Sequence, residues 1–253
     1  MTPEQAQKIA KALPKLSEQD RIEAQKLLDE WSKRRRQRKF FSMFPDSGKY
    51  ARSGYVKHME FITSGQEFRE RCFLAANRSG KTVVGGYETV CHLTGRYPDW
   101  WDGYKFSGPV KFWAAGDTAK TVRDIIQVEL LGNHNEHGTG MIPGEDIIKT
   151  TPKAGVPDAV DTVYVKHYDE QGDQDGVSQL GLKSYDQGRI AFQGTEQDGI
   201  WLDEECPMDV YTECLIRTMT TNGLIYLTFT PLKGLTDVVM SFMPKGTEEV
   251  FGG

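Results

Sequence analysis

The 253-residue sequence predicts an α/β fold, a mainly parallel sheet with helices on both faces, plus an N-terminal helical arm. Three observations predict it. Residues 72–82, CFLAANRSGKT, are a short apolar run that ends in a tight turn of small residues. Residues 199–205, GIWLDEE, are a second apolar run, tipped with carboxylates. Around these two, strand-like and helix-like patterns alternate along the chain.

The chain opens on a helical pattern over residues 3–31, interrupted at Pro14. Ser17-Glu18-Gln19-Asp20 resembles a capping box. Ala24, Leu27, Leu28 and Trp31 fall on one face, which makes a small amphipathic arm suited to packing on the core or on another protein. Residues 33–39, KRRRQRK, are the one dense basic run. A solvated helix end explains it, because cations complement the helix dipole there; so does a contact with DNA phosphates or an acidic partner. An aromatic-rich, irregular connection follows. The expected organisation is therefore an arm and basic connection over 1–54 and an α/β domain over 55–253.

From Ala75 the spacing is A-x-x-x-x-G-K-T, the P-loop pattern with alanine at the first glycine position. The loop comprises Ala75, Ala76, Asn77, Arg78, Ser79, Gly80, Lys81 and Thr82. Backbone N–H groups of such a turn point inward and cradle phosphates. Lys81 can reach the β- and γ-phosphates, and the Thr82 hydroxyl can ligate Mg²⁺. The next segment, VVGGYETVCHL, can start a helix whose positive end faces the nucleotide. ATP and Mg²⁺ are the expected ligands of this P-loop NTPase pattern.

Residues 111–115 read as a strand. Residues 118–131 read as a helix with Val122, Ile125, Ile126 and Glu129 at helical spacing, and 132–144 as loop. Strand-like alternation over 160–167 and an acidic, glycine-bearing turn at 170–176 predict a hairpin system within 160–192. Asp203 would close a buried strand and hold the Mg²⁺ shell, and Glu204 could polarise the attacking water. With Glu205, three adjacent carboxylates repel each other, so burial without a cation is costly. Residues 209–219 read as a helix and 224–230 as a further strand. The hydroxyls of Thr228 and Thr230 fit a γ-phosphate sensor and fit equally an ordinary buried strand of good β-propensity.

Composition is that of a globular domain, 38% hydrophobic and 26% charged. No stretch approaches 18 apolar residues, so no membrane span is expected. The N-terminus lacks the apolar core of a signal peptide. Cysteines at 72, 91, 206 and 214 form no CxxC pair and read as reduced thiols. A net charge of −5 does not advertise a static nucleic-acid binder, although a translocating motor needs only a local basic patch.

Taken in order, these motifs resemble the large terminase subunit of tailed double-stranded DNA phages, the packaging motor. ERCFLAANRSGKT resembles that family's Walker A strand and loop. KFWAAGDTAKTVRD resembles the following strand and helix. SYDQGRIAFQGTEQDGIWLDEECPMDVYTECLIR resembles the surroundings of its Walker B Asp-Glu, and LTFTPLKG its coupling motif. The likeness runs from about residue 55 to about 240 and is closest to headful-packaging phages with short tails. It implies an ASCE-type, RecA-like ATPase that drives DNA into a procapsid in the host cytoplasm. The implied partners are double-stranded DNA, the portal and procapsid, a small terminase subunit and further copies of the chain in a ring. Matched by position, Asp203 holds Mg²⁺, Glu204 is the catalytic base, and Thr228 and Thr230 couple hydrolysis to motion. Arg78 would touch the γ-phosphate. Arg123 falls where related motors offer an arginine finger, although Arg123 and Arg217 read equally well as helix-surface arginines. The family often places a glutamine upstream for adenine; here that place reads YVKHMEF, with His58 as the candidate. The family's chains continue into an RNase H-like nuclease, so the expectation is an ATPase domain without nuclease activity. The rival readings are a helicase-like or other nucleic-acid-dependent ATPase and a nucleotide-binding interaction module without turnover.

Overall fold

The computed structural model describes residues 3–36 and 39–243. Its centre is a seven-stranded sheet in the order β1-β7-β6-β2-β5-β4-β3. The strands are β1 Glu70–Leu74, β2 Lys111–Gly116, β3 Ile147–Pro152, β4 Val160–Tyr168, β5 Gln174–Ser184, β6 Gly199–Asp203 and β7 Leu224–Phe229. Every residue of β6 and β7 is buried. Their unbroken apolar runs are what a strand covered on both faces requires. β1, β7, β6, β2 and β5 run parallel, and β4 and β3 extend the sheet antiparallel. β7 lies between β1 and β6, which sets Leu74 beside Phe229 and Asp203 beside Thr228.

One face is covered by α4 (Lys81–Thr94), whose Val84, Tyr87, Val90 and Leu93 pack with Phe112, Leu180, Trp201 and Tyr226. The other is covered by α7 (Met208–Met219) and α8 (Asp237–Ser241), through Val210, Cys214, Val238 and Val239 against Ile200, Leu202, Ile225 and Leu227. The period of two in β6 sends Trp201 to the first core and its neighbours to the second. Beneath α4, the buried Arg71 of β1 pairs with the buried Glu88 and donates to the Phe61 carbonyl at 2.7 Å.

The arm comprises α1 (Pro3–Ala12), a 3₁₀ turn at Leu13–Lys15 containing Pro14, and α2 (Glu18–Arg36). Asp20 N–H reaches Ser17 Oγ at 3.3 Å, the expected cap. The arm's apolar face is narrower than its spacing predicts: Leu28 is buried, but Leu27 is 50% exposed. The side chains of Lys33, Arg34, Arg35, Arg36 and Arg38 lie outside the described residues; Lys39 pairs with Glu129 at 2.6 Å. In the aromatic connection Phe40 and Phe44 are buried, each with its ring centroid 5.2 Å from Tyr87.

The predicted helix 118–131 is helical, but its middle differs. Between α5 (Ala119–Thr121) and α6 (Val128–Leu131), Val122–Gln127 form a π-helical segment. Val122 and Ile126 face the core while Ile125 is 49% exposed, so wider turns displace one of the predicted apolar positions. The hairpin is β4 with β5, as expected. The sequence pattern does not foretell α3 (Val56–Thr63) or β3. Among the described residues no helix is long and apolar enough to cross a membrane.

Candidate functional site

The loop between β1 and α4 closes on the tips of β6 and β7. Gly80 caps α4 in the left-handed region (φ 84°), with no side chain bonded to the first turn. The first N–H groups of α4 therefore keep their directions open to an anion. Glycine suits this position twice over, by its positive φ and because a Cβ here would crowd His58 Nε2 at 3.1 Å. Lys81 is buried, and its Nζ donates to the Ala76 carbonyl at 2.9 Å and to Thr230 Oγ1 at 2.8 Å. The Thr230 hydroxyl in turn has the Ala75 carbonyl at 2.8 Å and Asn77 Oδ1 at 2.9 Å. The loop is thus tied to the residue that follows β7. Ser79 Oγ, at the bend, is buried with no hydrogen-bond partner among the described residues.

Asp203 closes β6 at 3% exposure. Its Oδ2 accepts the Thr82 hydroxyl at 3.0 Å and its Oδ1 accepts Thr228 Oγ1 at 2.7 Å. Trp201 Nε1 donates to Thr228 Oγ1 at 2.8 Å. An indole N–H can only donate, so Thr228 must accept from it and give its own proton to Asp203. Gly85 makes room for that indole: a Cβ there would lie 2.4 Å from Trp201 Nε1.

Burial pushes the Asp203 carboxyl up to about 7 against the pull of Thr228 and Thr82, with Glu204 adding to the rise and Lys81 opposing it. The folded protein therefore holds a proton that the unfolded chain has already released near pH 4. The stability this contributes is full below that point and is lost as pH rises through about 7. In EDTA without nucleotide, Asp203→Asn is expected to melt near the parent's temperature only at about pH 4 or below, where folded and unfolded parent both carry the proton. At pH 8 it is expected to be more stable by a few kcal/mol, roughly 1.4 for each unit of the rise. Equal melting temperatures at pH 8 would show that the carboxylate is not penalised.

Glu204 follows in the left-handed region (φ 66°), is exposed, and bonds its N–H to the Thr228 carbonyl at 3.1 Å. The bend separates the three acids: Asp203 is inside, Glu204 points out and Glu205 is half-buried. Arg78 is exposed and also left-handed (φ 63°), so the loop and the strand tip each contribute a non-glycine residue with positive φ. Such backbone persists where its surroundings over-determine it, which is common at functional sites. His58 sits beside the loop, with Nε2 2.9 Å from the Ser79 carbonyl. Burial lowers its pKa, against that bond, so the ring is neutral near pH 7.

The structure thus gathers Ala75–Thr82, His58, Asp203, Glu204, Thr228 and Thr230. The other two arginines make their polar contacts elsewhere. Arg123 pairs with Asp124 at 2.7 Å and reaches the Pro157 carbonyl at 3.2 Å. Arg217 bonds the Gly194 carbonyl and Glu213. Sequence reasoning passes over Trp201, seen only as apolar, and Tyr185, whose hydroxyl meets the carbonyl of Asp203.

The donor set suits a nucleotide with a hard cation. A cationic amine and a helix N-terminus face the turn, and a hydroxyl and a carboxylate stand 3.0 Å apart beside it. A P-loop whose strand is separated by one further strand from the carboxylate strand defines the class: the fold is a P-loop NTPase of the ASCE kind. Residues 72–249 match the family described as terminase large subunit, T4likevirus-type, N-terminal. The chain is also 39% identical over 246 residues to the terminase large subunit of Salmonella phage P22, covering 91% of this chain and 48% of that protein. It belongs to the phage terminase large subunit family, and it spans about half the length of that curated relative.

Among solved structures, the large terminase ATPase domain of Thermus phage P74-26 aligns with a TM-score of 0.48 at 17% identity, covering 72% of this chain and 70% of that one. The large terminase of a thermophilic bacteriophage, solved in complex with ADP, aligns with a TM-score of 0.44 at 11% identity, covering 69% of this chain and 38% of that one.

Proposed function

We propose that this chain hydrolyses Mg²⁺-ATP and couples hydrolysis to the translocation of double-stranded DNA into a procapsid. One observation carries the reading: Lys81 and Thr82 of the loop meet Asp203, Thr228 and Thr230 at the tips of two neighbouring strands, with Glu204 beside them. Lys81 and the amides of Ala76–Thr82 bind the phosphates. Thr82 and Asp203 would hold Mg²⁺, which supplies positive charge where the phosphates accumulate negative charge. Glu204, exposed at the end of the buried strand, orients and deprotonates the attacking water. Arg78 stabilises charge at the γ-phosphate from within the loop, and Arg123 serves a neighbouring subunit from the helix surface. His58 contacts the base side of the nucleotide. Thr230, bonded to Lys81, and Thr228, bonded to Asp203, carry the state of the phosphates into β7.

The expected partners are DNA, the portal of the procapsid, a small terminase subunit and further copies of the chain in a ring. The test is the ATPase rate per subunit against protein concentration, with and without procapsids and DNA. A rate that climbs with assembly supports a ring motor. Full activity on DNA alone, with strand displacement and no response to procapsids, points to a helicase-like enzyme. A flat rate in the assembled state leaves only a nucleotide-sensing module.

A further inference from the structure

Tyr185 belongs to neither the P-loop nor the Asp203-Glu204 pair, yet its hydroxyl is enclosed by the ends of two parallel strands. It lies 2.9 Å from the Asp203 carbonyl, 3.3 Å from the Glu204 carbonyl and 3.3 Å from the Ala115 carbonyl. The ladder between β2 and β6 ends at Ala115 and Leu202, so the Asp203 carbonyl lies beyond its last rung. A buried carbonyl beyond the ladder needs another donor. The peptide that follows is the one whose next residue, Glu204, adopts φ 66°. That conformation is unfavourable for a non-glycine residue and holds only where neighbours fix it. The Glu204 N–H is fixed from β7 by the Thr228 carbonyl at 3.1 Å. The carbonyl side is fixed by Tyr185.

We propose that Tyr185 is a positioning residue: its hydroxyl holds the left-handed bend that aims the Glu204 carboxylate, and it touches no substrate itself. The inference rests on the reading of Glu204 as the base. The ring is locked in place for the task, 5% exposed and 6.4 Å from Phe192 between centroids. The same turn also docks on the helix that carries Arg123. Asp186 N–H donates to the Asp117 carbonyl at 3.1 Å, and Asp186 Oδ2 accepts from Ala119 N–H at 3.3 Å. Residues 185–186 therefore join the base to the start of the helix that offers the finger.

The test is Tyr185→Phe, which removes the hydroxyl and keeps the ring. Turnover and the affinity for a fluorescent ATP analogue are measured in this variant, in Glu204→Gln and in the double variant. Rates come from single-turnover hydrolysis normalised to bound nucleotide, so that only folded protein is counted. The expected result is a kcat lower by ~10- to 100-fold, the scale of a small misplacement of a reacting group, with nucleotide affinity unchanged. In the Glu204→Gln background the same substitution should cost nothing further. An unchanged kcat in Tyr185→Phe beside an inactive Glu204→Gln overturns the inference and leaves the base intact. An equal loss in both backgrounds, or a loss of nucleotide binding, also overturns it. Full turnover in Glu204→Gln instead removes the base assignment on which the inference stands.

Discussion

Replacing Lys81 with alanine is expected to abolish ATP turnover together with nucleotide capture, whereas Glu204→Gln should cut turnover to a small residual rate and leave capture intact. The difference follows from where the two groups sit. Lys81 is buried at the foot of the loop, and two of its three N–H donors are committed to Ala76 and Thr230. Its remaining donor and its charge are what the loop offers a phosphate beyond its amides. Removing them takes away charge-assisted bonds to the phosphates and one of the ties between the loop and Thr230, whose bonds to Ala75 and Asn77 remain. Glu204 is exposed at the strand tip, and its N–H is bonded to β7 and not to the loop. Losing a general base costs ~10²- to 10⁴-fold in the chemical step. Equilibrium binding of a fluorescent nucleotide and steady-state hydrolysis separate the two variants. Glu204→Gln with the parent's rate would shift the base to the adjacent Glu205.

The largest loss of stability is expected from Glu88→Ala. Burial pulls the Glu88 carboxyl up, but Arg71 and the hydrogen bonds from His92 and Arg71 outweigh it, and the net direction is down. The Arg71 guanidinium lies over the rings of Phe61 and Tyr226, centred 4.9 and 5.3 Å away, and both partners of the pair are closed off from solvent. Removing one partner of such a pair strands a buried charge and costs ~3–5 kcal/mol. At ~2–4 °C per kcal/mol for a domain of this size, the melting temperature should fall by roughly 10 °C. A double change, Arg71→Met with Glu88→Leu, should recover most of that loss, because a buried ion pair contributes little over an apolar replacement. A single variant that melts within a degree or two of the parent would show that the pair is not shielded from solvent.

The site is legible where chemistry is written in consecutive residues. A-x-x-x-x-G-K-T places the loop between a strand and a helix, and GIWLDEE places a carboxylate on a buried strand end. Strands β6 and β7, the hairpin over β4 and β5, and the pattern of most helices follow from apolar spacing, whereas the pairing of β6 with β7 is seen in the structure. What is not legible depends on convergence across the chain. Trp201 looks like any core residue, because its hydrogen bond needs Thr228, 27 positions on, and its space needs Gly85. Tyr185 lies in a stretch with family resemblance but nothing in its spacing marks a role, and only the parallel pairing of β2 with β5 and β6 brings its turn to Asp203. β3 escapes notice because IIKTTP alternates poorly and pairs on one side alone. Leu27 and Ile125 keep the right spacing but face solvent, since spacing says which residues share a face and not whether the face is covered.

Among the described residues β1, which carries the loop, is an edge strand whose single ladder partner is β7. The two are separated by the whole of the intervening domain, with Cys72 paired to Leu227. Pairings this distant in sequence are slow to form. During synthesis the loop has no neighbouring strand to rest on until β7 has been made, so the order of emergence from the ribosome makes nucleotide affinity wait for β7. ATP capture then reports that β7 has taken its place beside β1.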